Sequence, residues 1–188
     1  MSVPAPATQI AEAAAAGAAM LVSIAAVWRA LASVPDPEVP VVSIVELGIV
    51  RDVVRERDEI VVSVTPTYSG CPATAMIEAD IRTAVEAATG VRPRVQTALA
   101  PAWSTDWIAP EARGKLLQAG IAPPGMTLAS DITTSARPIT FTRPRPPVAC
   151  PNCGSLRTSE LARFGSTACK AQYRCTDCLE PFDYFKPH

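Results

Sequence analysis

The chain has 188 residues, of which 48% are apolar and 19% charged, with 19 prolines and 6 cysteines. This length favours one domain plus a small module, and the apolar fraction is sufficient for a hydrophobic core. A formal net charge of −1 at pH 7 excludes a strongly basic protein with a general attraction for nucleic acid or anionic membranes.

An uncharged, alanine-rich segment extends from Ala13 to Trp28. Its 16 residues are too few to cross a bilayer, and no Lys or Arg precedes Arg29 to form the basic start of an export signal. We therefore expect a cytoplasmic protein without a membrane segment, with a cleaved signal peptide as the alternative. The spacing of the apolar residues predicts a helix from about Ile10 or later to Ser33, with a buried stripe of Leu21, Ile24, Val27, Trp28 and Leu31.

The next part of the chain predicts a compact α+β unit. A proline-rich connector and a short helical turn precede a hairpin, a loop, a helix that ends at Gly90, and a third strand. A further helix follows, and residues 121–147 form a proline-rich connector with one strand around residues 139–141. In order, the predicted elements are 41–47 (turn), 49–55 and 60–64 (strands), 65–72 (loop), 73–89 (helix), 91–99 (strand) and 110–118 (helix).

Two Cys-x-x-Cys motifs near the C-terminus have the spacing of a metal site, and 21 residues separate them: Cys150 with Cys153, and Cys175 with Cys178. Each motif presents two thiolates on one tight turn, and the intervening residues are enough for a hairpin that brings the turns together. Four thiolates leave no open coordination position, so we expect a closed structural site. Zinc is the expected metal, with an iron–sulfur cluster and a pair of disulfides as alternatives.

The predicted fold class is therefore α+β, a small three-stranded sheet with helices packed on it, plus a C-terminal zinc-ribbon module with four cysteine ligands. The predicted divisions are a disordered or helical extension (1–18), the α/β domain (19–120), the connector (121–147) and the ribbon (148–188). Five of the ten aromatic residues lie in the ribbon. These aromatic residues either pack the thin sheet of the ribbon or form a stacking surface for nucleic acid. After residue 142 the chain has seven Lys and Arg and four Asp and Glu, and this small positive excess favours packing.

Cys71 lies apart from the other cysteines, in a loop between a strand and a helix. A helix N-terminus lowers the pKa of a thiol, which suits metal or sulfur transfer or nucleophilic catalysis. Hydrogen bonds from Thr65, Thr67 and Ser69 would support the thiolate. The single histidine is the last residue, His188, which argues against a Cys–His dyad. The alternative is a small buried residue at the start of a helix.

Three more residues have open interpretations. Asp36 and Glu38 are candidate ligands or acid–base groups, although carboxylates in proline-rich turns commonly cap the backbone. Cys169 lies between the two Cys-x-x-Cys motifs, beside Lys170. It is either a second functional thiol or a small buried residue.

Several motifs together resemble a known superfamily. Pro-Asp-Pro-Glu-Val-Pro (35–40), Ser-Ile-Val-Glu-Leu-Gly-Ile-Val (43–50), Thr-Pro-Thr (65–67) and Gly-Cys-Pro (70–72) resemble the small α/β domain of iron–sulfur assembly factors related to SufT. Phe-Gly-Ser-Thr-Ala-Cys-Lys (164–170) and Glu-Pro-Phe-Asp-Tyr-Phe-Lys (180–186) resemble one branch, the PaaD (PaaJ) family of the bacterial phenylacetate pathway. The resemblance covers roughly residues 20–188, and the alanine-rich N-terminus departs from the pattern.

This resemblance implies an accessory protein that helps to assemble an iron–sulfur cluster or di-iron centre of the multicomponent phenylacetyl-CoA epoxidase, with no catalytic activity of its own. Cys71 would then handle iron–sulfur material, and Asp36 and Glu38 would belong to the acidic loop of the family. A lone thiol cannot hold a cluster, so we expect a homodimer or a transient complex with the oxygenase or its iron–sulfur reductase. The alternatives are a stoichiometric epoxidase subunit and a nucleic-acid-binding zinc ribbon, and the near-neutral charge disfavours the second.

Overall fold

The computed structural model describes residues 22–57, 59–68, 70–125 and 147–187. The chain divides into two compact units, the first ending at Trp103 and the second beginning at Ser104. Within the described ranges, no helix is both long enough and apolar enough to cross a membrane. The predicted extension 1–18 and the predicted strand around residues 139–141 lie outside these ranges.

The first unit is a three-stranded sheet accompanied by two helices. Strands β1 and β2 form the predicted antiparallel hairpin, and β3 pairs with β2 in parallel, so that the strand order is β1-β2-β3. The second helix, α2, connects the two parallel strands. The elements are α1 (Ile24–Ala32), β1 (Val50–Glu56), β2 (Glu59–Val64), α2 (Thr74–Thr89) and β3 (Arg94–Thr97).

The two helices bury narrow apolar stripes. In α1 the fully buried side chains are Val27 and Leu31, four residues apart on one face. In α2 the buried side chains also recur every four residues, at Ile77, Ile81 and Val85. The sequence predicts a wider face that includes Met76, but Met76 is 57% exposed because it lies about 100° around the helix from Ile77.

Local chemistry sets the ends of these elements. Gly90 ends α2 as predicted, with φ of 73° and its N–H donating to the carbonyl of Glu86. Strand β3 is shorter than the predicted range 91–99, and it begins just after Pro93, which has no N–H to donate. The predicted turn before β1 closes through reciprocal side-chain bonds, since Ser43 N–H donates to Glu46 Oε2 and Glu46 N–H donates to Ser43 Oγ.

The second unit contains the ribbon, whose three long strands are consecutively antiparallel. A fourth, short strand pairs in parallel with the last one, so that the strand order is β4-β7-β6-β5. The elements are a 3₁₀ turn (Thr105–Trp107), α3 (Pro110–Gln118), β4 (Ile121–Ala122), β5 (Thr158–Ala162), β6 (Lys170–Cys175) and β7 (Pro181–Phe185).

The boundary between the two units lies between Trp103 and Ser104. The sequence predicts a later end of the first domain, at residue 120. Because β4 pairs with β7 of the ribbon and also contacts α3, both β4 and α3 belong to the second unit. Within the ribbon, Tyr173, Phe182, Tyr184 and Phe185 are buried, in agreement with their interpretation as sheet-packing residues. Phe164 differs, because its side chain is 64% exposed.

Candidate functional site

The four ribbon cysteines meet around one point. The Sγ atoms of Cys150 and Cys178 are 3.7 Å apart, those of Cys153 and Cys175 are 3.6 Å apart, and all four lie within 4.8 Å of one another. Four thiolates about 2.3 Å from a central zinc ion would form a tetrahedron with edges of about 3.8 Å. The predicted single metal centre is therefore confirmed, and the two-disulfide alternative is wrong, because a disulfide needs sulfurs about 2.05 Å apart.

The two turns that carry these thiols have the same backbone construction. The N–H of Cys150 donates to the carbonyl of Ser155, and the N–H of Cys175 donates to the carbonyl of Glu180, five residues ahead in each case. Pairing of Thr158 with Cys175, at the ends of β5 and β6, holds the two turns side by side. The strands of the ribbon thus determine the meeting of cysteines that are distant in sequence.

The electrostatics of the centre are mixed, because the pKa of Cys175 is lowered whereas the pKa values of Cys153 and Cys178 are raised. Backbone N–H groups, first that of Cys178 and then that of Asp177, lower the pKa of the buried Cys175 thiol to about 7. Asp177 also joins the two turns, since its carboxylate contacts the Ser155 hydroxyl and the Arg157 guanidinium. A donor set of four cysteines would occupy every position of a tetrahedral ion, which would leave no open position for substrate.

Cys71 forms a separate site in the first unit. Its thiol is partly exposed and lies just before α2, where the backbone of Ala73 and the Thr74 side chain favour the thiolate, and the Thr74 hydroxyl donates to the Cys71 carbonyl at 2.9 Å. Burial raises the pKa of this thiol above its ordinary value, and the negative charges of Glu38 and Asp36 raise it further. The predicted decrease in pKa is therefore wrong, because these effects exceed the contribution of the hydrogen bonds.

The structure brings Asp36 and Glu38 within electrostatic range of Cys71, although more than thirty residues separate them in sequence. Asp36 is only 6% exposed, and its Oδ1 accepts the N–H groups of Glu38 at 2.9 Å and Val39 at 2.8 Å. The capping interpretation therefore describes what Asp36 does for its own loop. Its charge in addition contributes to the environment of the thiol.

The other predicted supporting residues have different positions. Thr65 and Thr67 are buried, and the Thr65 N–H donates to the carbonyl of Ile49. Their support of the thiol stays a prediction, and Ser69 lies outside the described residues. Sequence reasoning missed Thr74, which was recognisable as a hydroxyl residue in the first turn of the predicted helix.

Cys169 is buried in the ribbon, with only 3% of its surface exposed. Its Sγ lies 3.0 Å from the Thr167 hydroxyl, and its carbonyl accepts the N–H of Lys186. This environment agrees with a small buried residue, and a role as a second functional thiol stays a prediction.

Comparison with known families identifies both halves of the chain. Residues 24–96 match the family model described as an iron–sulfur cluster assembly protein. Residues 134–186 match the model described as the PaaD zinc beta ribbon domain. The first match contains Asp36, Glu38 and Cys71, and the second contains the four metal-site cysteines.

Individual relatives agree with these matches. A protein of Escherichia coli (strain K12), described as a putative subunit of 1,2-phenylacetyl-CoA epoxidase, is 45% identical over 160 residues, which cover 85% of this chain and 90% of that protein. An "Fe-S protein maturation auxiliary factor" of Porphyromonas gingivalis is 36% identical over 86 residues, or 45% of this chain and 81% of that protein.

Two solved structures match about half of the chain. One is a domain of unknown function from Bacillus anthracis, which is 31% identical with a TM-score of 0.44, over 48% of this chain and 87% of that one. The other is a conserved hypothetical protein from Thermotoga maritima, also 31% identical with a TM-score of 0.44, over 50% of this chain and 94% of that one.

Proposed function

The chain belongs to the PaaD family, and on that premise we propose that it assists the assembly of an iron–sulfur cluster or di-iron centre in a multicomponent phenylacetyl-CoA epoxidase. In this proposal the first unit handles iron or iron–sulfur material as cargo through Cys71. The ribbon is a separate module, folded around a structural zinc ion. The chain performs no turnover of its own.

One observation carries this proposal, the electronegative environment of a partly exposed thiol. Nucleophilic cysteines usually lie in electropositive surroundings, which stabilise the thiolate. Glu38 and Asp36 do the opposite, since they raise the pKa of Cys71 and attract cations. A thiol that stays protonated until a cation displaces the proton is suited to receiving iron, and poorly suited to attacking a substrate.

The match to the iron–sulfur assembly family supports this role independently, because Cys71, Asp36 and Glu38 all lie inside the matched range. Cys71 supplies one ligand, whereas a cluster is commonly held by four. The remaining ligands would come from a client protein or from a second copy of the chain. We therefore propose a transient complex with the oxygenase or its iron–sulfur reductase.

For the ribbon we propose zinc as the resident ion. The donor set is entirely sulfur, the four Sγ atoms lie within 4.8 Å of one another, and both cysteine pairs lie on short turns, as in structural zinc sites. The residues that would hold the ion are Cys150, Cys153, Cys175 and Cys178. Zinc would supply folding free energy to a sheet whose core is small, and no redox chemistry.

The test of the maturation role is to produce the epoxidase oxygenase and reductase together with wild-type chain or Cys71→Ser, in a host without its own copy. We expect Cys71→Ser to lower the iron content of one client and the phenylacetyl-CoA-dependent oxygen consumption. Met76→Ala, which alters an exposed side chain of α2, is the matched control and retains both. Full iron content and activity with Cys71→Ser would refute the role of the thiol.

A second candidate function is a permanent subunit of the epoxidase, which the name of the E. coli relative favours. The two functions differ in what happens after maturation. If the chain is removed from the assembled enzyme and activity persists, it is a maturation factor. If activity disappears and returns when the purified chain is added, it is a permanent component of the enzyme.

A further inference from the structure

The ribbon unit contains a cavity of about 250 Å³ that is distinct from both thiol sites. None of the residues that line it is a metal-site cysteine, and Cys71 belongs to the other unit. Apolar side chains form most of its surface, namely those of Val148, Ala171, Tyr173 and Tyr184. The two tyrosine rings meet edge to face, with centroids 5.4 Å apart. The volume lies just below the range of about 300–1,000 Å³ for drug-sized ligands, so it fits one ring or a short chain.

Two cations adjoin this apolar cavity, Arg163 and Lys186. Lys186 is held in place, because its Nζ donates to the carbonyl of Arg163 at 3.2 Å and lies 4.4 Å above the Phe164 ring. Burial lowers the pKa of Lys186, Cys169 and Glu160 raise it, and the positive charge of Arg163 lowers it. Both cations border the same cavity, where their like charges repel each other and attract an anion.

The surroundings compensate these charges only in part. Glu160 also lines the cavity, but its carboxylate accepts the hydroxyl of Tyr173 at 3.2 Å. The Arg163 side chain is exposed and forms no hydrogen bond or ion pair with any residue that the structure describes. The rim of the cavity thus has two positive charges and one negative charge above an apolar floor.

We propose that this cavity binds an apolar group that carries a carboxylate, with the ring or chain against the tyrosines and the carboxylate at Arg163 and Lys186. Arg163 supplies a planar pair of donors that fits a carboxylate, and Lys186 supplies a second cation held on the Phe164 ring. The ligand is either a free organic acid or the C-terminal residue of a partner polypeptide, because both present the same chemistry. This inference does not depend on the proposed role of Cys71.

Calorimetric titration of the zinc-loaded full chain tests the proposal. The probes are 3-phenylpropionate and acetyl-Gly-Phe, each compared with its neutral amide. We expect at least one acid to bind and its amide to bind about tenfold more weakly, which corresponds to the loss of about 1.4 kcal/mol of charge-assisted interaction. Binding of the free acid identifies a small-molecule site, and binding of the peptide acid alone identifies a partner's C-terminus.

Three variants give the titration its controls. Arg163→Gln removes an exposed guanidinium without disturbing the core, and we expect it to weaken binding about tenfold. Ala171→Leu fills the apolar floor while it keeps both cations, and we expect it to block binding. Arg174→Gln changes an exposed arginine on β6 outside the cavity, and we expect no effect. No binding of either acid up to about 10 mM, equal binding of acid and amide, or unchanged binding by Arg163→Gln would overturn the proposal.

Discussion

Gly154 and Leu179 occupy corresponding positions in the two metal-binding turns, each directly after the second cysteine of its pair. Both have positive φ angles, 76° at Gly154 and 64° at Leu179. Glycine adopts this conformation freely, whereas an L-residue with a side chain is less stable there by roughly 1–2 kcal/mol. The first turn therefore avoids a strain that the second turn retains.

This asymmetry predicts opposite effects of two substitutions on ribbon stability. Gly154→Ala should lower the free energy of unfolding by about 1–2 kcal/mol, because it introduces the same strain in the first turn. Leu179→Gly should raise it by up to about 1 kcal/mol, since relief of strain is partly offset by the greater freedom of glycine in the unfolded chain. Urea unfolding at a fixed, buffered concentration of free zinc measures both effects.

The control is the same glycine-to-alanine change in a helix. Gly114 lies in α3, in the same unit, without a positive φ and with open space around a new Cβ. Gly114→Ala should therefore stabilise the unit by about 0.5–1 kcal/mol. A Gly154→Ala chain as stable as wild type would show that the turn does not require a left-handed residue.

Metal removal should unfold one unit and leave the other folded. Zinc sites of this class contribute on the order of 10 kcal/mol, and the ribbon core is small, so a chelator under reducing conditions should melt β5–β7. Amide hydrogen exchange is the measurement. We expect the Tyr173 amide in β6 to lose protection while the Val62 amide in β2 keeps it. Continued protection of Tyr173 would mean that the ribbon folds without metal.

Glu38→Gln should change two properties of Cys71 in opposite directions. Loss of the negative charge lowers the pKa of the thiol, so alkylation by iodoacetamide at pH 8 should become several-fold faster. Binding of ferrous iron should become weaker, because the carboxylate no longer attracts the cation. In the wild type, the alkylation rate should rise with a midpoint at higher pH than for a free cysteine, since burial and the carboxylates raise the pKa of this thiol above its ordinary value.

Mass spectrometry of the Cys71 peptide separates this reaction from that of the other thiols. Glu86→Gln is the matched control, because Glu86 is an exposed carboxylate at the far end of α2, paired with Arg92. It should leave the alkylation rate of Cys71 unchanged. Slower alkylation in Glu38→Gln would contradict the electrostatic account of the site.

Asp36 should prove necessary for its loop, independently of iron. Asp36→Ala removes the oxygen that accepts two backbone N–H groups and should destabilise the first unit by about 2 kcal/mol. Asp36→Asn keeps an oxygen at the same position, and its loss of stability should be less than half of that in Asp36→Ala. Thermal unfolding followed by circular dichroism distinguishes the two. Equal loss in both variants would show that the charge, rather than the hydrogen bonds, supports the loop.

Most secondary structure was predictable because its signals are local. The β1–β2 hairpin follows from two apolar runs on either side of a charged turn. Gly90 ends α2 in a left-handed conformation, which glycine adopts readily and which is the reason the sequence predicts a helix end there. The metal centre was predictable because paired cysteines at fixed spacing have few other uses. Pairing of Ile121–Ala122 with β7 was not predictable, since two residues have no periodicity to indicate a distant partner.

The environment of Cys71 shows the same limit at the level of chemistry. Its position before a helix predicts a lower pKa for the thiol, and that prediction uses only neighbouring residues. The carboxylates that reverse the prediction come from a loop more than thirty residues earlier, and burial depends on the whole unit. The sequence offers Cys71, Asp36 and Glu38 as candidate site residues, but the sign of their electrostatic coupling required the fold.

We propose that Cys71 receives iron–sulfur material while the ribbon holds a permanent ion. Elemental analysis after anaerobic reconstitution with iron and sulfide tests it most directly, with wild type, Cys71→Ala and Met76→Ala compared. We expect one zinc per chain in all three proteins, and iron with sulfide in the wild type and Met76→Ala only. Equal iron and sulfide in Cys71→Ala would contradict the claim.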